Sequence, residues 1–412
     1  MKLIYCLFAV SLIAARTVTA ESFWIGTWAA APLRAEQAHV DKVRIGEAER
    51  TIRQTIRISQ GGSEVRISFT NEFGLLPLQI KNVHVAIQKS KDTIDPASDH
   101  AVTFDNLTNI TIAPGGYVTS DPIKMTAPPL SSLEVSVVLP EQKIDGITFH
   151  GTAVSSTYIA TGDHAQDPSI PVAEVTHSWY FLKNIQVKKE KGSAAIVAIG
   201  DSITDGSFSE YDVNHRWTDR LAERLVHNRG TKHLSVMNAG IGGNRLLHNY
   251  IGQRALDRFD RDVLSAPGVK YIVLLEGIND IGFTGKPRGK GDQITIEELI
   301  AAMKQLIDRA HAKGLEIFGA TLTPYEGARY STPEGEQMRQ TMNAFIRKSG
   351  NFDGVIDFDK AVRDPGNSTA LFAKYDHGDH LHPSDAGYIA MGDAIDLSLF
   401  SVNPQKANKS GD

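Results

Sequence analysis

One serine stands where a catalytic nucleophile could be presented. Ser202 follows directly after an apolar run at residues 194–199, in the segment Gly200-Asp201-Ser202-Ile203. Ligands collect beyond the carboxyl ends of the strands in open α/β sheets, and Gly200 permits a tight turn out of such a sheet. A serine at this junction could equally cap a helix. If it is to attack a carbonyl carbon, it needs a neighbouring base.

A polar loop near the C-terminus could supply that base. Residues 376–388 read DHGDHLHPSDAGY and contain three histidines among several carboxylates. A histidine that activates serine needs an acceptor to orient its ring. The side chains of His377, His380, His382 and Asp379 could instead bind a metal ion, although no second cluster of ligands accompanies them. The residue types alone do not choose among the histidines.

Two further polar stretches follow predicted strands. Residues 238–244 read NAGIGGN, and residues 276–280 read EGIND. A glycine brings a backbone amide close to a substrate, and an asparagine side chain donates a hydrogen bond without adding charge, so both are suited to an oxyanion hole. Each stretch could also be ordinary turn chemistry. Their placement after successive strands favours a shared site.

Together the four blocks resemble the GDSL esterase and lipase superfamily, also called SGNH hydrolases. The pattern Gly-x-Ser-x-Gly of the α/β-hydrolase elbow does not occur around Ser202, so that fold is not the right comparison. The resemblance spans residues 194–399: the nucleophile block lies at 200–203, the third block is Gly-Ile-Asn-Asp at 277–280, and the last block is Asp-x-x-His at 379–382.

The resemblance implies a role for each block. It makes Ser202 the nucleophile, His382 its base and Asp379 the acid that orients His382. It assigns the oxyanion hole to the Ser202 amide, the Gly243 amide and the Asn279 side chain. Gly242 and Gly240 are close enough in the sequence that either could correspond to the family's oxyanion glycine instead of Gly243. It implies no metal and no organic cofactor.

The elements that must position these residues fall into two groups. Up to about residue 187 the chain has short alternating stretches, such as 51–58 and 64–69 around Gly61-Gly62, which predict a hairpin. Further strands are predicted at 83–87, 109–112, 133–139 and 153–159. Many short strands without an amphipathic helix indicate an antiparallel β-sandwich.

After a charged linker at residues 188–191 the pattern changes. Strands are predicted at 194–199, 234–237, 271–275, 315–321 and 355–358, and a helix at 296–313 with a capping box formed by Thr295 and Glu298 and an end at Gly314. Alternating strands and helices predict an α/β domain with a parallel sheet, and the resemblance implies a three-layer α/β/α, flavodoxin-like hydrolase. The expected divisions are a signal peptide at 1–20, a sandwich at 21–190, a hydrolase domain at 191–402 and a tail at 403–412.

The sandwich resembles the accessory domain of one branch of this superfamily, which contains arylesterases and acylhydrolases associated with xylan breakdown. Four of its aromatic residues could stack on sugars, but burial in a sandwich or at a domain interface is the commoner case, so they do not define a glycan site: Trp24, Trp28, Trp179 and Tyr180.

The N-terminus and composition bound the location and the partners. Lys2, an apolar run at residues 3–15 and small residues ending at Ala20 predict a cleaved signal peptide, hence a secreted or periplasmic protein without stable membrane insertion. The only cysteine, Cys6, lies inside that segment. A net charge of −5 without a long basic run argues against nucleic acid as a partner.

The resemblance, together with the predicted signal peptide, implies an exported serine esterase that acts on short acyl esters, in particular O-acetyl esters of carbohydrates. A small molecule or a polysaccharide is the expected partner. A general arylesterase or lipase, an acyltransferase, and a glycan-binding protein with an inert hydrolase domain are the alternatives.

Overall fold

The structure is a computed structural model that describes residues 22–287, 290–348 and 350–401. The predicted signal peptide and the predicted tail at 403–412 lie outside the described residues. Within the described ranges, no helix is both long enough and apolar enough to cross a membrane.

The N-terminal part is built almost entirely from short strands. A short helix, α1, was not predicted. The elements are β1 Ser22–Ala29, β2 Leu33–Arg34, α1 Gln37–Val43, β3 Arg50–Arg57, β4 Val65–Thr70, β5 Leu78–Ser90, β6 Thr93–Ile94, a 3₁₀ turn Pro96–Ser98, β7 His100–Val102, β8 Ile110–Ile112, β9 Tyr117–Thr119, β10 Ser132–Leu139, β11 Thr148–His150, β12 Thr157–Thr161, β13 Glu174–Thr176, β14 Trp179–Tyr180 and β15 Leu182–Glu190.

These strands form antiparallel sheets. One sheet has the order β1-β15-β4-β9, and a larger one has the order β13-β12-β3-β10-β5-β6, with β7 and β8 also paired to β5. A small third sheet has the order β14-β11-β2. A single apolar cluster contains Ile52 and Val135 of the larger sheet and Ile67 and Ile185 of the first, so the two sheets share one core.

The predicted hairpin between residues 51–58 and 64–69 is wrong. Both strands exist, but β3 pairs with β10 and β12, whereas β4 pairs with β15 and β9 in the other sheet. The two glycines allow the backbone at residues 61–62 to pass close to the backbone at Ala127. A Cβ on Gly61 would lie 2.2 Å from the Ala127 main-chain oxygen, and the Gly62 amide donates to that oxygen at 3.0 Å. The connection therefore crosses between sheets instead of turning back. The strand predicted at 153–159 is also displaced, to β12.

The C-terminal part alternates strands and helices as predicted. Its elements are β16 Ala194–Gly200, α2 Ser202–Asp205, α3 Trp217–His227, β17 Leu234–Gly240, α4 Ala255–Phe259, a π-helical turn Asp260–Leu264, β18 Val269–Leu275, α5 Ile278–Phe283, α6 Ile296–His311, β19 Glu316–Ala320, α7 Pro333–Arg347, β20 Gly354–Ile356, α8 Phe358–Val362, α9 Asp385–Ala394 and a 3₁₀ turn Leu397–Phe400.

A parallel sheet of five strands runs through this part, in the order β17-β16-β18-β19-β20. In chain order this is 2-1-3-4-5, the order of flavodoxin-like sheets, and the direction of winding reverses at β16. The loop after β16 therefore opens at the point where such sheets bind ligands. The predicted capping box of α6 is present, since Thr295 Oγ1 accepts from the Glu298 amide and Glu298 Oε2 accepts from the Thr295 amide.

The two parts are joined by buried hydrogen bonds along β17. Ser59 Oγ donates to the Val236 main-chain oxygen at 2.8 Å and accepts from the Val236 amide at 2.9 Å. Ser235 Oγ donates to the Gly26 oxygen at 2.6 Å. Because these groups are buried, separating the two parts would leave several polar atoms without partners.

Candidate active site

Ser202 is the first residue of α2, immediately beyond β16. A Cβ on Gly200 would lie 2.3 Å from the Leu275 main-chain oxygen and 2.3 Å from Thr204 Oγ1, so only glycine fits where the chain leaves the sheet. Asp201 caps the turn, accepting from the Ile203 amide at 2.9 Å. The Ser202 side chain is thereby held at the carboxyl edge of the sheet, within a cavity.

The C-terminal loop brings a histidine to this serine. His382 Nε2 lies 2.9 Å from Ser202 Oγ, and His382 Nδ1 lies 2.6 Å from Asp379 Oδ2. Asp379 Oδ1 accepts from the backbone amides of Leu381 and His382. Partial burial opposes ionisation of Asp379, but these hydrogen bonds from His382 and the loop hold the pKa of its carboxyl well below its usual range. An ionised Asp379 can orient the His382 ring and stabilise its positive charge.

The neighbouring histidines have other partners. His380 Nδ1 lies 2.7 Å from Asp376 Oδ2, and the ring of His377 lies 4.5 Å from that of Phe208. Within the described ranges, no group of three or more His, Cys, Asp and Glu side chains could hold a metal ion. The three histidines are therefore not arranged as a set of metal ligands.

The glycine loop after β17 reaches the same cavity. The Gly240 amide donates to Asn238 Oδ1 at 2.8 Å, and the Gly242 amide donates to Asp205 Oδ2 at 2.9 Å. In the described part of the chain, no hydrogen bond engages the amide of Gly243, which lines the cavity at φ +73°. Of the three candidate glycines, Gly243 is therefore the one whose amide is not engaged by another group of the described residues.

Asn279 lies at the start of α5 and is almost completely buried. Its Nδ2 donates to the Asn244 main-chain oxygen at 3.0 Å, and its Oδ1 accepts from the Tyr330 hydroxyl at 3.3 Å. These contacts fix the amide orientation and leave the second Nδ2 hydrogen for a ligand in the cavity that Asn279 lines. Asn279 and Gly243 are therefore brought to the cavity that contains Ser202.

Asp280, the next residue, supports the loop. Its carboxyl accepts from the amides of Leu246 and Leu247 at 2.7 and 3.0 Å. Burial raises the pKa of Asp280 to about 6, even though these amides and Arg245 oppose the shift. Asp280 thus holds the segment that follows the second block, and Asn279 contacts the last residue of that block through the Asn244 oxygen.

The cavity has a volume of about 1100 Å³ and is lined by both parts of the chain. One wall comes from the sandwich, through Leu33, Arg34, Glu36, His39, Phe73, Phe149, Gly151 and Thr152. Sequence reasoning missed this wall, because nothing in the short strands indicates which of their ends faces the hydrolase domain. Of the aromatic residues it considered, Trp28, Trp179 and Tyr180 are buried.

Sequence reasoning also missed Phe208 and Asp205. Phe208 is 54% exposed at φ +67°, and its ring lies 4.8 Å from that of His382. Asp205 is buried below the glycine loop and contacts His150 of the sandwich. The position of Asp205 three residues after Ser202 was the one available signal, whereas nothing around His150 indicated a functional role.

The C-terminal part of the chain is similar to known proteins. Residues 198–390 match the model of the GDSL-like lipase/acylhydrolase family. No curated protein matches the chain. Among solved structures, Axe2, an acetylxylan esterase from Geobacillus stearothermophilus, is 23% identical, with 52% of this chain and 96% of that chain covered at a TM-score of 0.39. A GDSL-like lipase from Bacteroides thetaiotaomicron VPI-5482 is 19% identical, with 53% and 91% covered at 0.39. The chain therefore carries, at residues 198–390, a domain of the GDSL-like lipase/acylhydrolase family.

Proposed function

We propose that this protein is a serine esterase that hydrolyses short-chain acyl esters through Ser202, His382 and Asp379. The observation that carries the proposal is the 2.9 Å contact between His382 Nε2 and Ser202 Oγ, continued by the 2.6 Å contact between His382 Nδ1 and Asp379 Oδ2. These distances are those of a nucleophile, its base and the acid that orients the base.

The reaction follows from this geometry. As Ser202 Oγ attacks the ester carbonyl carbon, its proton passes to His382 Nε2, and Asp379 stabilises the resulting imidazolium. The carbonyl oxygen becomes an oxyanion that accepts from the amides of Ser202 and Gly243 and from Asn279 Nδ2. When this tetrahedral intermediate collapses, the bond to the alcohol oxygen breaks, and the departing alcohol takes the proton from His382. Water, deprotonated by His382, then attacks the acyl-enzyme and releases the carboxylic acid and free Ser202.

The first test is hydrolysis of p-nitrophenyl acetate, butyrate and octanoate by wild type and Ser202→Ala, with and without EDTA. We expect turnover that falls with acyl length, is unaffected by EDTA, and is lost in the variant. Equal activity of both proteins, or its loss with EDTA, would refute the mechanism. Preferred cleavage of octanoate would favour the lipase alternative, and product acylated on an added sugar would favour an acyltransferase.

We propose further that the alcohol portion of the ester is a carbohydrate. The cavity is far larger than a short acyl group, and its sandwich wall combines the ring of Phe149 with hydrogen-bonding side chains such as Glu36 and His39. Sugars present both apolar ring faces and hydroxyl groups, so a mixed wall of this kind suits them.

Acetylated xylan and p-nitrophenyl acetate separate this proposal from a general arylesterase. We expect Phe149→Ala to lower kcat/KM for acetate release from acetylxylan at least tenfold and to change it less than twofold on p-nitrophenyl acetate, which has no sugar ring to pack against Phe149. Equal losses on both esters would contradict the proposal. Binding of xylan without ester turnover would favour an inert hydrolase domain.

We also propose that the chain is divided into domains as predicted, with a sandwich at 21–190 and a three-layer hydrolase domain at 191–402. The strand order supports three layers, because crossovers between parallel strands are right-handed and the direction in which the strands are added reverses at β16. The crossover with α3 therefore lies on one face of the sheet, and those with α6 and α7 lie on the other. Export after cleavage near Ala20 is part of the same proposal. N-terminal sequencing of the exported protein is its test, with Glu21 as the expected first residue.

A further inference from the structure

A histidine of the sandwich contacts the hydrolase domain below its glycine loop. His150 ends β11 and is buried, as is Asp205 at the end of α2. His150 Nε2 lies 2.8 Å from Asp205 Oδ1, and His150 Nδ1 lies 2.8 Å from the Ala31 main-chain oxygen. The ring also packs against Trp179, with the centroids 5.7 Å apart. The imidazole is thus fixed on both of its nitrogens and on one face.

The protonation of this pair follows from its partners. A carbonyl oxygen only accepts, so His150 Nδ1 carries a proton that it donates to Ala31. One further proton lies between Nε2 and Asp205 Oδ1. Burial opposes a charged ring, but the charge and hydrogen bonds of Asp205 outweigh it and raise the pKa of His150. The raised pKa favours the form in which the shared proton is on the ring, and in either form Asp205 Oδ2 remains an acceptor.

The second oxygen of Asp205 continues the connection to the proposed oxyanion hole. Asp205 Oδ2 accepts from the Gly242 amide at 2.9 Å, one residue before Gly243. The Asn244 amide donates to the Ile241 oxygen and closes a turn around Gly242 and Gly243, and the Ile241 amide donates to the Gly200 oxygen. Asp205 is the residue that engages the Gly242 amide itself. The Asp205 main-chain oxygen is also held, by Arg216 Nε at 2.9 Å.

We propose that His150 is a positioning residue for the oxyanion hole: it holds the Asp205 carboxylate, which fixes the Gly242 amide and so orients the adjacent Gly243 amide toward the reacting carbonyl. This inference rests on the proposed esterase function. It makes the sandwich part of the catalytic apparatus, since a side chain from β11 completes the support of a loop that belongs to the hydrolase domain.

The test compares His150→Ala with a matched control elsewhere in the sandwich. His84 is also buried and paired with an aspartate, its Nδ1 lying 2.9 Å from Asp99 Oδ2, but Asp99 belongs to the sandwich, whereas Asp205 accepts from the Gly242 amide. We expect His150→Ala to lower kcat on p-nitrophenyl acetate by about 10- to 100-fold, with KM changed less than threefold. His84→Ala should lower the melting temperature comparably and leave kcat within twofold of wild type.

Two variants of Asp205 separate position from charge and also serve if His150→Ala does not fold. Asp205→Ala removes the acceptor for Gly242 and should lower kcat as His150→Ala does. In Asp205→Asn, the amide oxygen can still accept from Gly242, and Nδ2 can donate to a neutral His150. We therefore expect kcat of Asp205→Asn to be at least tenfold higher than kcat of Asp205→Ala. The acid limb of the pH profile of kcat/KM, which reports the base, should be unchanged in all of them.

Three results would overturn the inference: wild-type kcat in both His150→Ala and Asp205→Ala, equal kcat losses in His150→Ala and His84→Ala, or an Asp205→Asn variant as impaired as Asp205→Ala. The Ser202→Ala variant, assayed in parallel, distinguishes these from failure of the proposed function. If Ser202→Ala remains active, the esterase mechanism itself is wrong. If Ser202→Ala is inactive, any of the three results counts against the role of His150 alone.

Discussion

Arg258 donates a hydrogen bond from its guanidinium to the Gly200 main-chain oxygen at 3.0 Å, two residues before Ser202. The same side chain donates to the Ala239 oxygen at 2.7 Å and to Asn244 Oδ1 at 3.0 Å, and it is completely buried. One arginine therefore connects the ends of β16 and β17 with the glycine loop. Its charge is met by Asp262 at 3.2 Å.

Replacing Arg258 should destabilise the fold strongly. In Arg258→Met, the oxygens of Gly200 and Ala239 and Asn244 Oδ1 lose a buried donor, while Asp262 keeps its hydrogen bonds to Arg261. Each buried acceptor left without a partner costs about 1–3 kcal/mol. Urea unfolding measures the change in the free energy of unfolding. Arg309→Met is the control, because Arg309 is partly exposed and its partner Asp260 is largely exposed, so this ion pair should be worth less than about 1 kcal/mol. Equal effects of the two substitutions would contradict this account.

Asp379→Asn should lower kcat by about 10³- to 10⁴-fold while the fold is retained. An asparagine Nδ2 facing His382 Nδ1 would donate to it and place the imidazole proton on Nε2, where it can no longer accept the proton of Ser202. Steady-state kinetics on p-nitrophenyl acetate measures the loss. Asp376→Asn is the control: Asp376 contacts His380 instead, and we expect kcat within threefold of wild type. Similar losses would mean that the loop, and not the Asp379 charge, is what matters.

Asn279→Ala should lower kcat by about 10²- to 10³-fold with little change in KM, because its Nδ2 would bind the oxyanion only once the carbonyl is attacked. Tyr330→Phe removes just the hydroxyl that donates to Asn279 Oδ1, so a loss below tenfold is expected. A rise in KM with kcat intact in Asn279→Ala would instead assign Asn279 to ground-state binding.

Gly243→Ala tests the proposed role of Gly243 in the oxyanion hole. Its φ of +73° is strained for alanine, by roughly 1–2 kcal/mol, and the new Cβ would lie 2.7 Å from Ile251 Cδ1. We expect kcat to fall at least tenfold. Gly115→Ala carries the same strain at φ +71° in open space, so it should lower stability without lowering kcat. Unchanged kcat in Gly243→Ala would return the assignment to Gly242.

Glu134→Gln should alter how stability depends on pH. Burial raises the pKa of Glu134 to about 8, although Thr55, Arg53 and Gln88 oppose the shift. The folded state thus keeps a proton that the unfolded chain loses near 4.5, so this group makes wild type less stable as the pH rises from about 5 to 8. The slope is at most about 1.4 kcal/mol per pH unit.

Glutamine keeps an oxygen for Thr55 and Gln88 but does not titrate. The variant should therefore gain stability relative to wild type across pH 5 to 8, and the difference should level off above 8. Urea unfolding at a series of pH values measures it. Parallel curves for the two proteins would show that Glu134 does not titrate in this range. The exposed Glu297→Gln is the control, with no change in slope expected.

Much of this protein could be predicted locally. The buried strands of the parallel sheet appear as continuous apolar runs because both of their faces are covered, and the capping box of α6 involves residues only three positions apart. The short motifs at 200–203, 277–280 and 379–382 are contiguous, so the resemblance identified Ser202, Asn279, Asp379 and His382. The structure brings all four to one cavity.

Pairing between distant segments was decided by the tertiary structure alone. The glycines at 61 and 62 were consistent with a hairpin, but a close approach to Ala127, far along the chain, carries the connection to the other sheet. Likewise, which glycine amide of the loop can bind a substrate depends on Asp205 and Asn238, because these residues engage the amides of Gly242 and Gly240. The contact of His150 with Asp205 joins residues 55 positions apart in different parts of the fold. Local propensity and short motifs carry no information about such contacts, because the free energy that selects them comes from burying both partners at once.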